Sequence, residues 1–395
     1  MVDVVTLALF VAASLASLFM AWTIGAGSAG STPFAPAVGA RAISVMRAGF
    51  IVGVCIFLGA VLQGANVSEA VGRELIQGVT LSTTAATLAL VIAAGLVTVG
   101  IFTGYPIATA FTVTGAVIGV GLAMGGAPNW PKYFEIAALW TLTPLVGGGL
   151  SYWIARRILD ESSPEETVIS LLGAVVGVLL ANIEFALLGP DDGGATIAQA
   201  VVAAAPGPDL VVWAATSLVF AVAGWAVVAR QVRKDLTRGE QQFTLVMGAI
   251  VAFSAGGSQV GLAVGPLLPL LDGIVPLVAI LVGGGFGLLV GAWTGAPRLI
   301  KAVAQDYASL GPRRALAALI PAFAIAQVAI LFGIPVSFNQ IIVSGVAGSG
   351  AAAATGAGSG ISRRKIGYTF LAWTASFVGA VIVGYGSYTV VQLVF

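Results

Sequence analysis

The chain has 395 residues, a formal net charge of +1, 58% hydrophobic residues and only 8% charged ones. So few charges cannot cover the surface of a soluble protein of this length; the net charge says nothing about a partner, and no nucleic-acid partner is expected. A single cysteine, Cys55, excludes an internal disulfide, and the absence of histidine removes the usual proton-relay group and the commonest metal ligand.

Apolar stretches at residues 4–24, 49–62, 81–102, 168–188, 210–229 and 316–332 approach or exceed the roughly 20 residues that carry a helix across a bilayer. They do not alternate, which argues against a β-barrel. The pattern predicts an all-α polytopic membrane protein with about 10–12 hydrophobic segments. The first stretch begins with Asp3 and no Lys or Arg, so it is expected to be a retained helix rather than a cleaved signal.

At its end the first stretch runs into Gly25-Ala26-Gly27-Ser28-Ala29-Gly30-Ser31-Thr32, followed by Pro33 and Pro36. Glycine and proline at this density break a helix and free its main-chain groups. Further on, Gly104-Tyr105-Pro106-Ile107-Ala108-Thr109 opens a second apolar but Thr/Gly-rich stretch over 104–126. Both motifs recur. Gly256-Gly257-Ser258-Gln259-Val260-Gly261-Leu262-Ala263 echoes the first, and Gly333-Ile334-Pro335-Val336-Ser337-Phe338 echoes the second and opens the stretch 335–350. The step from Gly25 to Gly256 is nearly the same as that from Gly104 to Gly333. Two spaced motifs recurring at nearly one offset indicate duplication, and interrupted segments at matching places point to a secondary transporter with a midplane site. The expected division is a first repeat over 1–160, a spacer over 161–240 with two helices and a basic loop, and a second repeat over 241–395.

The densest basic cluster, residues 230–238, is expected in the cytoplasm of a multi-pass cell-membrane protein; Asp191 and Asp192 then fall outside, and Arg156 and Arg157 inside. These clusters read most simply as solvated loop ends.

Inside a bilayer, freed main-chain groups are tolerated only when buried in protein or lining a wet cavity. A half-helix starting near the midplane aims unpaired N–H groups and a positive dipole end at such a cavity, so it can hold an anion without a formal cation. The four motifs contain no Lys or Arg; they supply Ser28, Ser31, Thr32, Ser258 and Gln259, and Thr109, Thr112, Ser337 and Asn339. Against this stands ordinary packing, in which Ser and Thr bond back to their own helix or join neighbouring helices. Carboxylates in apolar surroundings are few: Glu69 is the candidate for ion coupling, although Arg73 at i+4 offers a plain ion pair, and Glu184 is a weaker one.

These motifs resemble the inorganic phosphate transporter (PiT) family, which carries G-A-N-D-V-A-N-A and later G-x-P-V-S-T-T-H-A in each repeat. The run Ala252-Phe253-Ser254-Ala255-Gly256 through Leu267 is similar to the family's A-F-x-H-G-A-N-D-V-A-N-A-I-G-P-L, and Gly333-Ile334-Pro335-Val336-Ser337 matches G-x-P-V-S. Asn129-Trp130, and Trp140 to Gly148, resemble the family's N-W and S-W-x-x-x-P-x-x-G-G stretches. The resemblance implies inverted repeats, a homodimer, an inorganic oxyanion substrate (phosphate by default, sulfate otherwise) and Na+ or H+ as coupling ion, with no other cofactor or metal. The polar core departs from the family pattern. The motif Asp falls on Ser28 and Gln259, and the S-T-T-H run becomes Ala108-Thr109-Ala110-Phe111 and Ser337-Phe338-Asn339-Gln340. Without those carboxylates a coupled symporter, an uncoupled channel or facilitator, and a transport-inactive sensor or scaffold all stay open. An enzyme is not expected: no His, paired carboxylate or nucleophile–base arrangement is present.

Overall fold

A computed structural model describes residues 4–160, 164–186, 188–189, 194–271, 273–306, 310–352 and 363–394. Asp191 and Asp192, expected outside, lie beyond the described residues.

Helix α1 (Val4–Gly27) gives way to turns and the short α2 (Ala35–Gly39), followed by α3 (Val45–Gln63) and α4 (Ala65–Glu69). After a π-helical turn come α5 (Thr83–Thr103) and α6 (Thr109–Ala123), then α7 (Trp130–Leu142) and α8 (Gly148–Ile158), separated by a π-turn at Pro144. The spacer holds α9 (Glu165–Ala181), α10 (Ile197–Ala204) and α11 (Asp209–Lys234). The remaining helices are α12 (Leu236–Val264), α13 (Leu268–Leu271), α14 (Leu277–Thr294), α15 (Ala296–Asp306), α16 (Pro312–Leu331), α17 (Phe338–Ala351) and α18 (Arg363–Val394). Two small antiparallel pairs complete it: β1 (Ile76–Gln77) with β2 (Ala127–Pro128), and β3 (Glu184–Phe185) with β4 (Ala195–Thr196). Among the described residues, eight helices are long and apolar enough to cross a membrane. One shorter apolar helix, α6, adds to these among the described residues.

The motif spacing recurs in the helices. Helices α5 and α6 begin at Thr83 and Thr109, and their counterparts α16 and α17 begin at Pro312 and Phe338, later in the chain by one and the same interval. The two halves interlock rather than sit side by side: α1 packs on α14, α12 on α3, α6 on α18 and α17 on α8. Backbone contact makes the first two crossings possible. A Cβ on Gly25 would lie 2.0 Å from the Leu288 carbonyl oxygen, and one on Gly291 2.1 Å from that of Trp22. The matching crossing repeats this, with Gly256 at 2.0 Å from the Ile56 oxygen and Gly59 at 1.7 Å from the Phe253 oxygen. In lipid, where no hydrophobic gain drives helices together, such close approach maximises dispersion contact.

The spacer pair α9 and α11 packs through Gly173, Gly177 and Gly224 in the same way. The outer face of α11 exposes Leu210, Leu218, Val219 and Val222, an apolar surface suited to lipid. At one end of the molecule Arg313, at the start of α16, reaches Glu165 at the start of α9 at 2.6 Å and Glu240 on α12 at 2.8 Å. Helices α9, α12 and α16 therefore start on a common face, and α9 and α16 end on the opposite one. Helix α12 runs through residue 240, the expected spacer boundary.

Candidate functional site

Three of the four motifs interrupt helices. Gly104 and Gly333 adopt left-handed backbone (φ +76° and +57°) at the ends of α5 and α16, a conformation that favours glycine. Pro106 and Pro335 then keep the chain extended until α6 and α17 begin. The freed proline carbonyls are satisfied across the repeats: Trp373 Nε1 donates to Pro106 O and Trp140 Nε1 to Pro335 O, both at 2.8 Å.

The fourth motif differs from the expectation of a break. Ser258 and Gln259 lie on α12, which continues unbroken to Val264 before a 3₁₀ turn at Gly265–Leu267. The reason is local. In the first repeat, Ser28 O receives Thr32 N at 3.1 Å and also the hydroxyls of Ser31 and Thr32 at 3.2 and 3.1 Å, which hold a turn after α1. The matching positions in the second repeat are Leu262 and Ala263, which have no hydroxyl to compete with the helical ladder.

The interruptions and α12 converge on one node. Ser28 Oγ donates to Gln259 Oε1 at 3.1 Å, and Thr109 Oγ1 donates to the same oxygen at 2.7 Å. Gln259 Nε2 donates to the Val336 carbonyl, just before α17. Asn339 Nδ2 donates to Gly27 O at 2.8 Å and Ile107 O at 2.6 Å, linking α17 to both interruptions of the first repeat. Ser28, Ser31, Thr32, Thr109, Ser258, Gln259, Ser337 and Asn339 are each 0% exposed. No charged side chain takes part in these bonds.

The candidates divide by what their polar atoms do. Ser31 and Thr32 bond to their own turn, and Thr112 to Thr109 O. Ser28, Thr109 and Gln259 bond to one another. By contrast, among the described residues Ser258 Oγ, Ser337 Oγ and Asn339 Oδ1 are buried with no partner. Ser337 occupies the N-cap of α17, a place where a serine ordinarily accepts a bond from the first turn, and makes no such bond. Its hydroxyl and the first-turn amides of α17 are thus left together at a positive dipole end. Ala108 caps α6 and offers no side-chain oxygen either. The orientation of Asn339 is fixed, because turning its amide over would set an oxygen against two carbonyls. Its free atom is therefore an acceptor.

Glu69, the sequence candidate for ion coupling, pairs with Arg73 at 2.8 Å, and both side chains are more than two-fifths exposed, 45% and 43%. Trp140 and Trp373 are absent from the sequence candidates, yet they hold the two proline interruptions. Their signal in the sequence is a Trp-Thr pair that recurs at nearly the offset of the motifs, as Trp140-Thr141 and Trp373-Thr374.

Fold and geometry together define a multi-pass helical membrane protein with a duplicated unit, interrupted helices and a buried uncharged polar node. The sequence profile of the phosphate transporter family matches residues 24–384, and the chain belongs to that family. It is 25% identical over 396 residues to a chloroplastic inorganic phosphate transporter of Arabidopsis thaliana; the match takes in 85% of this chain and spans 65% of the length of that relative. The fold is similar to that of a solved structure named the sodium-dependent phosphate transporter, with a TM-score of 0.82 and 21% sequence identity, covering 98% of this chain and 100% of that one.

Proposed function

We propose that the chain is a secondary transporter of inorganic phosphate, carrying the hydrogen-bearing anion through the node between its two repeats. The observation that supports this most is the N-cap of α17, where Ser337 makes no capping bond and, among the described residues, its buried hydroxyl and the Asn339 carboxamide oxygen both lack a partner. A bound oxyanion would accept from Ser337 and from the first turns of α6 and α17, with Ser258 as a further donor. Ser28, Thr109 and Gln259 would hold the surrounding frame, and Ser31 and Thr32 would fix the turn after α1.

Asn339 Oδ1 supports phosphate over sulfate. Phosphate keeps at least one proton near neutral pH and can donate it to that oxygen, whereas sulfate has none to give. A buried acceptor left unpaired costs about 1–3 kcal/mol, or roughly 5- to 150-fold in affinity. Alternating access would come from rocking of one repeat-derived bundle against the other, with inverted repeats, the 230–238 loop in the cytoplasm and a homodimeric assembly.

A second reading, an uncoupled facilitator, is favoured by the neutrality of the node, which supplies no carboxylate for a driving cation. Purified protein in proteoliposomes tests both. Saturable uptake of labelled phosphate, poorly competed by a tenfold excess of sulfate, is expected. Absence of saturable uptake under every imposed gradient would refute transport, and uptake indifferent to sodium and proton gradients would select the facilitator.

A further inference from the structure

The node lacks a carboxylate, but a second polar cluster on the face opposite Arg313 has one. Glu184 Oε2 accepts from Asn66 Nδ2 at 3.2 Å, and Glu184 O accepts from Gln63 Nε2 at 2.6 Å. Gln63 and Gln327 exchange side-chain bonds at 3.3 and 3.4 Å, and Gln327 Nε2 donates to Ser254 Oγ at 2.7 Å. Asn66 also donates to the Ile330 carbonyl in the last turn of α16 at 3.3 Å. A cavity of about 20 Å³ is lined by Leu62, Gln63, Asn66, Glu184, Gly194 and Ile330, among others, enough for a single water or a small ion. Gly194 leaves the room for this: a Cβ there would lie 2.3 Å from Glu184 Oε1.

Helix ends of both signs meet there, since α4 begins at Ala65 and α10 begins just after Thr196, the strand partner of Glu184. Helix α3 ends at Gln63, α9 ends at Ala181 just before Glu184, and α16 ends at Leu331. Three helix C-termini therefore converge on one carboxylate, and the N-termini of the two short helices α4 and α10 offset them only in part. Among the described residues no Lys or Arg forms an ion pair with Glu184 to offset this. The side-chain oxygens are hard donors, and among the described residues no group of three or more His, Cys, Asp or Glu is available for a multiply charged or soft metal.

We infer that Gln63, Asn66 and Glu184 form a site for a monovalent alkali cation, of the size of sodium, at the ends of α3, α9 and α16. The cluster adjoins the phosphate node by two routes. Ser254 lies one helical turn before Ser258 and Gln259 on α12, and Ile330 stands just ahead of the interruption whose Val336 carbonyl holds Gln259. A cation there would supply the positive partner that the node lacks. This use of the site rests on the transport reading; the cation site itself does not.

The test uses the 395-residue chain and its isosteric Glu184→Gln variant, whose amide oxygen can still accept from Asn66. Thermal unfolding in detergent is followed as sodium chloride replaces choline chloride at constant ionic strength and pH. Wild type is expected to rise in Tm saturably with sodium, and Glu184→Gln to need at least tenfold more sodium for half the rise. Equal sodium responses in the two proteins, or no response in wild type, would overturn the inference. So would a Glu184→Gln defect that follows pH and not sodium. Phosphate uptake against sodium in proteoliposomes then separates the two claims. A wild type that binds sodium through Glu184 but takes up no phosphate contradicts the transport reading alone; sodium-driven uptake unaltered by Glu184→Gln contradicts the cation assignment alone.

Discussion

Ser337→Ala separates a substrate site from mere packing, because the two give opposite signs. The Ser337 hydroxyl is fully buried and unpartnered. Holding such a group away from water costs about 1–3 kcal/mol, so replacing it with a methyl should leave stability unchanged or raise it by up to that amount. In the bound state the same hydroxyl would donate to an anion, a bond worth about 1.5–3 kcal/mol. Its loss should therefore raise the apparent Kd or KM for phosphate by about 10- to 150-fold. Thermal unfolding in detergent reads the first quantity, and concentration-dependent uptake into proteoliposomes reads the second. A protein whose Tm falls while uptake is untouched would refute the reasoning, since the hydroxyl would then be holding the fold together and not awaiting a ligand.

Three other substitutions probe the remaining parts of the account. Gln259→Glu still lets Ser28 and Thr109 donate, but it removes the donor to Val336 O and sets negative charge beside the substrate; phosphate affinity should fall at least ~10-fold, and a KM equal to wild type would contradict the placement of the anion. Gly25→Ala and Gly256→Ala each drive a Cβ to 2.0 Å from a carbonyl oxygen of the crossing helix, so both should sharply reduce the yield of folded protein in size-exclusion chromatography, to similar extents. Trp373→Phe and Trp140→Phe each orphan one proline carbonyl; each should destabilise by about 1–3 kcal/mol, read as a fall in Tm, and a drop for one alone would break the equivalence of the two interruptions.

The interruptions at Pro106 and Pro335 are legible in the sequence because their causes are local: a left-handed glycine and a ring-locked φ act within a few positions. The continuity of α12 departs from the expected break although its cause is also in the sequence. Two hydroxyls that bond back to Ser28 O in one repeat are Leu262 and Ala263 in the other, and glycine spacing alone does not record that. The pairing of Glu69 with Arg73 is legible too, since i,i+4 geometry needs no tertiary knowledge. Convergence is what the sequence does not carry. That Gln259 collects bonds from Ser28 and Thr109, and that the ends of three helices meet at Glu184, are consequences of how the two halves interlock. No spacing along the chain encodes those meetings.

The central claim is that uncharged donors at the start of α17, framed by Ser28, Thr109 and Gln259, hold the anion. Arsenate, a heavier mimic of phosphate, tests this most directly through anomalous scattering at the arsenic edge from crystals grown with it. The account predicts one strong peak within hydrogen-bond distance of Ser337 and the first-turn amides of α17. A peak only elsewhere, for example beside Arg156 and Arg157, or none at saturating arsenate, would contradict it.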